Sequence, residues 1–479
     1  MRRRVPVLLV QGLLLGVVPF TGIGAQEVTC PTVEAPDVSF EAPQFIDTAR
    51  AGGEPVSIVG QDGSISVSAH AGTTHVYKNP QAAPGAGDFL VGYFNQVLNW
   101  RSTDDGTTWE YIGLAGTGVG PHSPQTTGFS DPDFTIDQAG NIYNTEIDLA
   151  NVAVFKSPDD GQSYPIGTPE AFSGDRPWLV ALEEDEVFLY INSPRNMLRS
   201  TDGGVTWSLL PGPDITSKPV PDPLNPDDGI IGPSGSGFAI SDDDAQSWES
   251  HSFGPMGSSV SFFDAIAVDK AGNVFTAGAG GYQGGTDTNA NGQVTFGYYD
   301  REEGRANASR LTVPTPAGDA LWPWIIAGDE DRVAFTWYQT LAGQPRQFYI
   351  YAAVTHNATG TTVECSDGST RFVEPQFTVV NASGRFIHDG AICLSGTTCN
   401  ANPSFENGDR RLGDFFTINF DKDGDLFLAS GDTTLRNPVG GPKPVGNPIF
   451  IRQAAGGDRM LATPMTTRPT RCLFPLPSC

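Results

Sequence analysis

The chain has 479 residues, and its 55 acidic side chains against 28 Lys and Arg give a formal net charge of −27. This acidity disfavours nucleic acid and anionic membranes as partners and favours solubility or cation binding. The 57 glycines and 38 prolines, which separate short alternating apolar runs, predict a turn-rich all-β protein. The length suffices to bury a large core, and we expect a monomer without membrane insertion.

The N-terminus predicts export. Residues 1–4 are basic, residues 5–18 are largely apolar and residues 22–25 are small, as in a signal peptide that ends at residue 25. A membrane anchor is the alternative, but the apolar run is shorter than the ~20 residues that cross a bilayer. We therefore expect a secreted or periplasmic protein, with an N-terminal extension over residues 26–52.

The cysteine count is even, as expected of an exported protein with disulfides, and it allows 15 pairings. The residues are Cys30, Cys365, Cys393, Cys399, Cys472 and Cys479. A bond between Cys393 and Cys399 would close a short loop. A bond from Cys30 to Cys472 or Cys479 would join the two ends of the chain.

A short motif, Ser-x-Asp-x-Gly-x-x-aromatic, recurs along the chain. It occupies residues 102–109, 157–164, 200–207 and, with Ala in place of Gly, 241–248, at intervals of 55, 43 and 41 residues. Its Ser and Asp side chains suit hydrogen bonds to backbone N–H groups, and its glycine permits positive φ. Each copy lies between two apolar strands, so we expect a turn between the third and fourth strands of a repeated sheet.

A second repeating pattern is a pair of strands joined by an acidic or Gly-containing turn. Six such hairpins occupy residues 57–69, 134–147, 179–191, 265–277, 324–337 and 416–430, and a shorter one occupies 227–240. They predict a single β-propeller over residues 53–460, with six or seven four-stranded antiparallel blades and seven favoured. A β-sandwich or β-helix explains the repeat less well. Residues 211–226 and 437–448 are expected to be loops, and 461–479 a tail.

The Ser-x-Asp motif resembles the Asp-box (BNR) repeat of the sialidase-like β-propellers. This resemblance implies a propeller of that kind, in which the boxes lie away from the active site. The motif therefore indicates the fold and not the chemistry.

Chemistry is expected at the mouth of the central channel, where the innermost strand of each blade begins. Arginine side chains can bind carboxylates, tryptophan rings can cover the faces of sugars and paired carboxyl groups can transfer protons. Residues of these types converge at the mouth, which predicts a glycan site there. A purely structural role is the alternative for each residue, because Asp often caps a turn and Arg often pairs with it. The converging residues are Glu54, Asp131, Asp133, Asp175, Arg176, Trp178, Phe263, Asp264, Trp322, Trp324, Arg410, Arg411 and Asp414.

The resemblance to sialidases also implies roles: three arginines for a carboxylate, a tyrosine nucleophile with a glutamate, and an aspartate as acid/base. The matching candidates are Arg176 with Arg410 or Arg411, Tyr143 with Glu146, and Asp131 or Asp133. The Phe/Tyr-Arg-Ile-Pro motif of that family is absent, and Glu54 and Pro55 stand in its region. The sequence thus leaves two functions open, an exo-α-sialidase-like glycosidase and a non-catalytic extracellular platform that binds proteins or glycans.

One loop has the opening of a calcium site. Asp287, Asn289 and Asn291 place oxygens at alternate positions before a glycine, but the twelfth position is Tyr298 and not Glu. The loop is either a structural Ca²⁺ site completed from elsewhere or a plain Asn- and Gly-rich loop. We expect no obligatory cofactor.

Overall fold

The computed structural model describes residues 28–70, 97–113, 115–116, 130–148, 151–235, 237–257, 259–282, 292–313, 317–394, 409–436 and 445–467. These residues contain strands and turns and no helix. The predicted signal peptide, the calcium-like loop with Asp287, Asn289 and Asn291, and Cys399, Cys472 and Cys479 lie outside them, so these assignments stay predictions.

Seven antiparallel sheets form the blades of a β-propeller, which confirms the predicted fold class and the favoured blade number. Strand β1 (Gln44–Phe45) precedes the first blade. Blades 1 to 3 follow in chain order: β2 to β5 (Gly53–Val59, Ile65–His70, Val97–Ser102, Glu110–Gly113), β6 to β9 (Ser130–Ile136, Ile142–Asp148, Asn151–Ser157, Ile166–Ser173) and β10 to β13 (Asp175–Ala181, Val187–Ser193, Asn196–Ser200, Ser208–Leu209).

Blades 4 and 5 have shorter inner strands. They comprise β14 to β17 (Val220–Pro221, Ile230–Ser234, Gly237–Ser241, Glu249–Ser252) and β18 to β21 (Ile266–Val268, Val274–Gly280, Gln293–Asp300, Arg305–Leu311). The inner strand of blade 4 corrects the expectation of a plain loop over residues 211–226. It has only two residues, which is too short for any alternation in the sequence to reveal it.

Blade 6 is the largest blade, and blade 7 combines the first strand of the described chain with the last three. Blade 6 comprises β22 to β24 (Ala317–Ala327, Val333–Leu341, Gln344–Thr355) and β27 (Thr378–Asn381), with the hairpin β25–β26 (Thr361–Glu364, Thr370–Val373) inserted and β28 (His388–Asp389) paired to β24. Blade 7 comprises β29 to β31 (Thr417–Phe420, Leu426–Asp432, Asn447–Arg452) and β1.

The ring is closed by the N-terminal segment. In β1, Gln44 pairs with Phe450 and Phe45 with Ile449, so this segment supplies the outermost strand of blade 7. The expectation of a simple surface extension over residues 26–52 is therefore wrong for these two residues. The inner strands contact one another around the ring in chain order, and β29 of blade 7 contacts β2 of blade 1.

A disulfide joins the N-terminal segment to the hairpin inserted in blade 6. Cys30 is bonded to Cys365, which corrects the predicted bond from Cys30 to Cys472 or Cys479. Cys30 and Cys365 are 335 positions apart in the sequence. The spacing of the cysteines therefore does not indicate which of the 15 possible pairings forms. Cys393 is also disulfide-bonded.

The four Ser-x-Asp turns lie between the third and fourth strands of blades 1 to 4 and share one set of hydrogen bonds. In the first, the Ser102 hydroxyl donates to Asp104 (2.8 Å) and accepts from the Gly106 N–H (2.9 Å), while Asp104 accepts from the Thr108 N–H (2.8 Å). The degenerate turn keeps these bonds although Ala245 must adopt a φ of 60° in place of glycine. The repeat therefore has a structural role, because its hydrogen bonds stabilise the turn.

Candidate functional site

Four inner strands contain a residue in a conformation that glycine adopts most easily. Glu54, Asp131 and Arg176, with φ angles of 50°, 57° and 64°, are the second residues of the inner strands of blades 1, 2 and 3. Trp322, with a φ of 54°, lies in the middle of the inner strand of blade 6. At three of them, all except Arg176, the strand register also shifts. Bulges and positive φ in non-glycine residues concentrate at functional sites, where they redirect side chains. Their recurrence at one end of the channel marks the axial mouth.

The channel beneath the mouth is filled by four aromatic side chains from four blades. Trp178 lies 5.4 Å from Phe263, 5.7 Å from Trp324 and 5.6 Å from Phe415, measured between ring centroids. Trp324 and Phe415 stack at 5.5 Å with an interplanar angle of 28°. We refer to these four residues as the aromatic plug. They separate the mouth from the rest of the channel.

The guanidinium of Arg176 lies on the aromatic plug. Its central carbon is 4.1 Å from the ring centroid of Trp178, 4.2 Å from that of Phe263 and 4.0 Å from that of Phe415. Arg176 is 3% exposed, and its three side-chain nitrogens have no hydrogen-bond partner among the described residues. Cation–π contacts stabilise the charge but leave the N–H donors available. Buried donors are normally satisfied, so this arginine is suited to a ligand.

Two buried carboxyl groups face Arg176. Its Nη1 lies 3.3 Å from Asp131 Oδ1 and 3.8 Å from Glu54 Oε2. Burial and the negative charge of Asp131 raise the pKa of Glu54 to about 8. Burial also acts to raise the pKa of Asp131, but the Arg176 charge and a hydrogen bond from Glu54 hold it below its ordinary value. At neutral pH, Glu54 therefore keeps its proton while Asp131 is ionised.

Glu54 is closely surrounded, and it fits because residue 413 is a glycine. Gly413, with a φ of 80°, packs against it so closely that a Cβ would lie 2.0 Å from the Glu54 Cγ. His70 Nε2 is 3.9 Å from Glu54 Oε2, and Arg410 Nη2 is 3.8 Å from Glu54 Oε1. Any side chain at Gly413 would thus displace the acid.

Two predicted mouth residues border this site. Arg410 bonds the Gly413 carbonyl (3.0 Å) and forms an ion pair with Asp414, and burial lowers the Arg410 pKa. Asp175 is exposed beside Asp131. Partial burial and the negative charge of Asp131 raise the pKa of Asp175.

Other predicted residues lie apart from this centre. Arg411 is held by Asp409, with Nε–Oδ2 at 2.8 Å and Nη2–Oδ2 at 2.6 Å. Asp133 accepts from the Leu179 N–H (2.8 Å) and pairs with Lys218, so it joins blades 2 and 3. Both residues thus have internal partners, and their catalytic role stays a prediction.

The predicted tyrosine–glutamate pair does not assemble at the mouth. Tyr143 is fully buried near the opposite end of blade 2 and donates to Asp137 at 3.1 Å. Burial, then the charge of Asp137, raises its pKa far above its usual range. Glu146 is buried on the same strand. The assignment of Tyr143 as nucleophile is therefore wrong for this geometry.

Two further predicted binding residues occupy other positions. The buried Trp322 ring packs 5.7 Å from Tyr338 in the core, and its indole N–H has no partner among the described residues. Asp264 borders a separate cavity between blades 4 and 5. Trp178 and Trp324 belong to the aromatic plug. Only the side of the plug that contacts Arg176 borders the mouth.

Two members of the site, Phe415 and His70, are not indicated by any sequence motif. Phe415 follows Asp414 directly and lies just before an inner strand, so its position alone would have indicated the mouth. His70 ends the second strand of blade 1, and no motif marks it. Its place becomes visible only when the hairpin pairs Gly53 with His70.

The raised pKa of Glu54 has a consequence for stability that does not depend on catalysis. The folded state retains a proton that the unfolded state releases above about pH 4.5, so the free energy of unfolding falls as the pH rises from there to about 8. The pKa of Asp131 is lowered, so its ionised form stabilises the fold at neutral pH. This contribution to the free energy of unfolding is lost only at acidic pH, below the ordinary aspartate pKa of 3.8. Glu54→Gln removes the titration of Glu54. We therefore expect its free energy of unfolding, taken relative to that of the wild type, to be about 2 to 4 kcal/mol higher at pH 9 than at pH 5.

Urea unfolding at both pH values tests this expectation. Glu249→Gln, which changes a side chain that is 83% exposed, is the matched control and should show no such difference. A pH-independent difference between Glu54→Gln and the wild type would contradict the raised pKa.

Among the described residues, no group of three or more His, Cys, Asp or Glu side chains is placed to hold a metal ion. The same part of the chain contains no helix long and apolar enough to cross a membrane.

Comparisons with known proteins give distant similarities. No protein-family model matches the chain. A stretch of 132 residues, 27% of this chain, is 30% identical to a sialidase of Micromonospora viridifaciens and spans only 16% of that relative. Similar solved structures include an α-L-arabinofuranosidase of Fusarium graminearum (10% identity, 89% of this chain, 98% of that one, TM-score 0.43) and an α-L-arabinanase of Penicillium chrysogenum with arabinobiose (12%, 90%, 100%, 0.38). Streptogramin B lyase is similar at 10% identity over 86% of this chain and 97% of that one, with a TM-score of 0.39. These similarities are too distant to transfer an activity.

Proposed function

We propose that the axial mouth hydrolyses glycosidic bonds, with Glu54 as the general acid. The observation that carries this proposal is a protonated, buried carboxyl group beside an ionised one and beside an arginine with unused donors. A carboxylic acid that keeps its proton at neutral pH can donate it to the glycosidic oxygen. The short stretch of similarity to a sialidase supports a glycan as the substrate.

Glu54 and Asp131 act as one proton-holding unit in this proposal. In glycosidases the two carboxyl groups that flank the bond lie ~5 to 9.5 Å apart. Glu54 and Asp131 both contact the same nitrogen, Arg176 Nη1, at 3.8 and 3.3 Å, and the negative charge of Asp131 helps to raise the Glu54 pKa. Asp131 therefore sets the pKa of Glu54 and does not attack the sugar.

Asp175 is the candidate for the second catalytic carboxylate. It lies beside Asp131 on the exposed side of the mouth, where a water molecule reaches it. As Glu54 protonates the leaving oxygen and the C–O bond breaks, Asp175 would take a proton from the attacking water. The new C–O bond and the two transferred protons then complete the addition of one water molecule.

The charge balance at the mouth favours a neutral glycan. Arg176 is opposed by Asp131, and Arg410 by Asp414, while protonated Glu54 adds no charge. A sialic-acid carboxylate needs several free arginines, yet Arg410 is bound to Asp414 and Arg411 to Asp409. Exo-sialidase activity is therefore the less supported form of the proposal.

A non-catalytic glycan or protein platform is the second candidate. The observation that favours it is the low exposure of the reactive groups, because Glu54 is 2% and Arg176 is 3% exposed. A secreted or periplasmic location suits both candidates, since disulfides such as Cys30–Cys365 persist in oxidising compartments.

A panel of fluorogenic glycosides, with neutral hexosides, pentosides and sialosides, tests the proposal. We expect turnover of a neutral glycoside and a decrease in kcat/KM of about 100-fold in Arg176→Lys, because lysine keeps the charge but loses the planar donor fork. Arg305→Lys is the matched control. Arg305 also stacks on aromatic rings, 4.6 Å from the centroid of Phe372, but it lies on an outer strand.

Each result separates the candidates. Cleavage of sialosides alone would overturn the neutral substrate. Absence of turnover, together with glycan-array binding that Arg176→Lys abolishes, would favour the non-catalytic platform. Equal losses in Arg176→Lys and Arg305→Lys would contradict a site at Arg176.

A further inference from the structure

A cavity of about 570 Å³ lies beside the mouth, between blades 4 and 5. Its volume falls within the range of roughly 300 to 1,000 Å³ that is typical of small-molecule sites. It opens on the mouth side, because it is bordered by the end of β17 and the start of β18. Its lining includes Ser252, Met256, Asp264, Ile266, Thr276 and Gly278. We call it the side cavity.

The polar groups of the side cavity suit a sugar. Asp264 is exposed at the edge of the side cavity and forms no hydrogen bond or ion pair with any described residue, and partial desolvation raises its pKa. Ser252 and Thr276 line the same cavity, where the Thr276 hydroxyl donates to the Ala265 carbonyl at 3.0 Å and its oxygen can still accept a hydrogen bond. Met256 and Ile266 offer apolar surface to C–H groups. A few polar groups on a partly apolar wall are characteristic of small-molecule sites.

Glycines create the space. A Cβ at Gly278 would lie 2.5 Å from the Thr295 hydroxyl oxygen, and one at Gly257 would lie 2.9 Å from the Thr295 Cγ2. The Thr295 hydroxyl itself is buried without a hydrogen-bond partner. A cation is a poor alternative occupant, because Asp264 is the single carboxylate of the lining and Ca²⁺ takes about six to eight oxygens.

One segment of the chain contributes both to the side cavity and to the proposed catalytic centre. Asp264 directly follows Phe263, whose ring lies under the Arg176 guanidinium at 4.2 Å. Val260 forms backbone hydrogen bonds with Ala279 (2.7 Å) and Trp322 (2.8 Å), which fix this connecting segment to blades 5 and 6. A sugar bonded to one at Arg176 would thus be directed toward Asp264.

We propose that the side cavity is a second sugar subsite, so that the substrate is a neutral oligosaccharide of at least two units and not a single terminal sugar. This inference rests on the proposed glycan function of the mouth. In the subsite, Asp264 accepts hydrogen bonds from sugar hydroxyls, and Ser252 and Thr276 provide further hydroxyl contacts.

The test compares 4-methylumbelliferyl glycosides of one, two and three units of the sugar that the first panel identifies. Asp264→Asn removes the charge, and Ser252→Trp fills the cavity from an exposed strand end. Both are expected to raise KM about tenfold for the longer substrates and to leave the single-unit substrate unchanged. The matched control, Asp228→Asn, alters an exposed carboxylate at the opposite end of blade 4.

The outcomes distinguish this inference from the proposed function. Equal effects on short and long substrates, or no effect on either, would overturn the subsite. If no glycoside is hydrolysed, binding of the same oligosaccharides is measured by saturation-transfer NMR. Binding that strengthens with length and is lost in Asp264→Asn would support the subsite although catalysis fails, and binding independent of length would overturn it.

Discussion

Glu54→Gln is expected to lower kcat/KM by about 10²- to 10⁴-fold, which is the usual contribution of a general acid. The amide has nearly the same shape as the carboxyl group and retains a hydrogen bond to Asp131, but it has no proton to transfer. Folding should persist, because Gln is neutral as Glu54 is at pH 7. The measurement is steady-state hydrolysis of the best glycoside from the panel.

The pH dependence provides the control for this prediction. In the wild type, kcat/KM should fall above about pH 8 as Glu54 ionises. Asp131→Asn removes the negative charge that raises the Glu54 pKa, so the decline should begin at lower pH. Full activity in Glu54→Gln, or an unmoved alkaline limb in Asp131→Asn, would exclude Glu54 as the acid.

The second large effect concerns the closure of the ring. Replacement of both Cys30 and Cys365 by Ser is expected to lower the free energy of unfolding by about 3 to 5 kcal/mol. The bond spans 335 residues and restricts the unfolded chain strongly, but the pairing of β1 with β31 still closes the folded ring. Urea unfolding of wild type and double variant measures the difference.

The single variants complete this test. Cys30→Ser and Cys365→Ser should each lose as much stability as the double variant, because either change breaks the same bond. A double variant within about 1 kcal/mol of the wild type would show that strand pairing alone holds the ring closed.

The architecture was largely predictable because its signals are local. Alternating apolar residues and a turn define each first hairpin, and the Ser-x-Asp turn repeats at the same place in four blades, so six or seven blades were expected, with seven favoured. The two-residue strands Gln44–Phe45 and Val220–Pro221 escaped detection, because so short a segment has no periodicity. Their pairing is determined by the blades around them.

The mouth was predictable in location but not in chemistry. Glu54, Asp131 and Arg176 were expected there from their positions before inner strands, and the structure brings them together. Arg411 and Asp133 meet the same positional rule yet are bound by Asp409 and Lys218. Lys218 is 85 residues from Asp133 in the sequence, so the sequence does not indicate that pair. Asp409 is two residues from Arg411, but whether their side chains meet depends on the folded backbone.

The closure of blade 7 by β1 has a consequence for the order of events during synthesis. Glu54 emerges early, but Arg410 and Gly413, which border it, are among the last described residues to be made. The inner strand of blade 7, Thr417–Phe420, contacts the inner strand of blade 1, and blade 7 is complete only after the chain has passed residue 452, where β31 ends. Domains that depend on such distant contacts fold late and slowly. A nascent or prematurely terminated chain would therefore carry folded blades but no competent mouth, so activity would be confined to finished molecules.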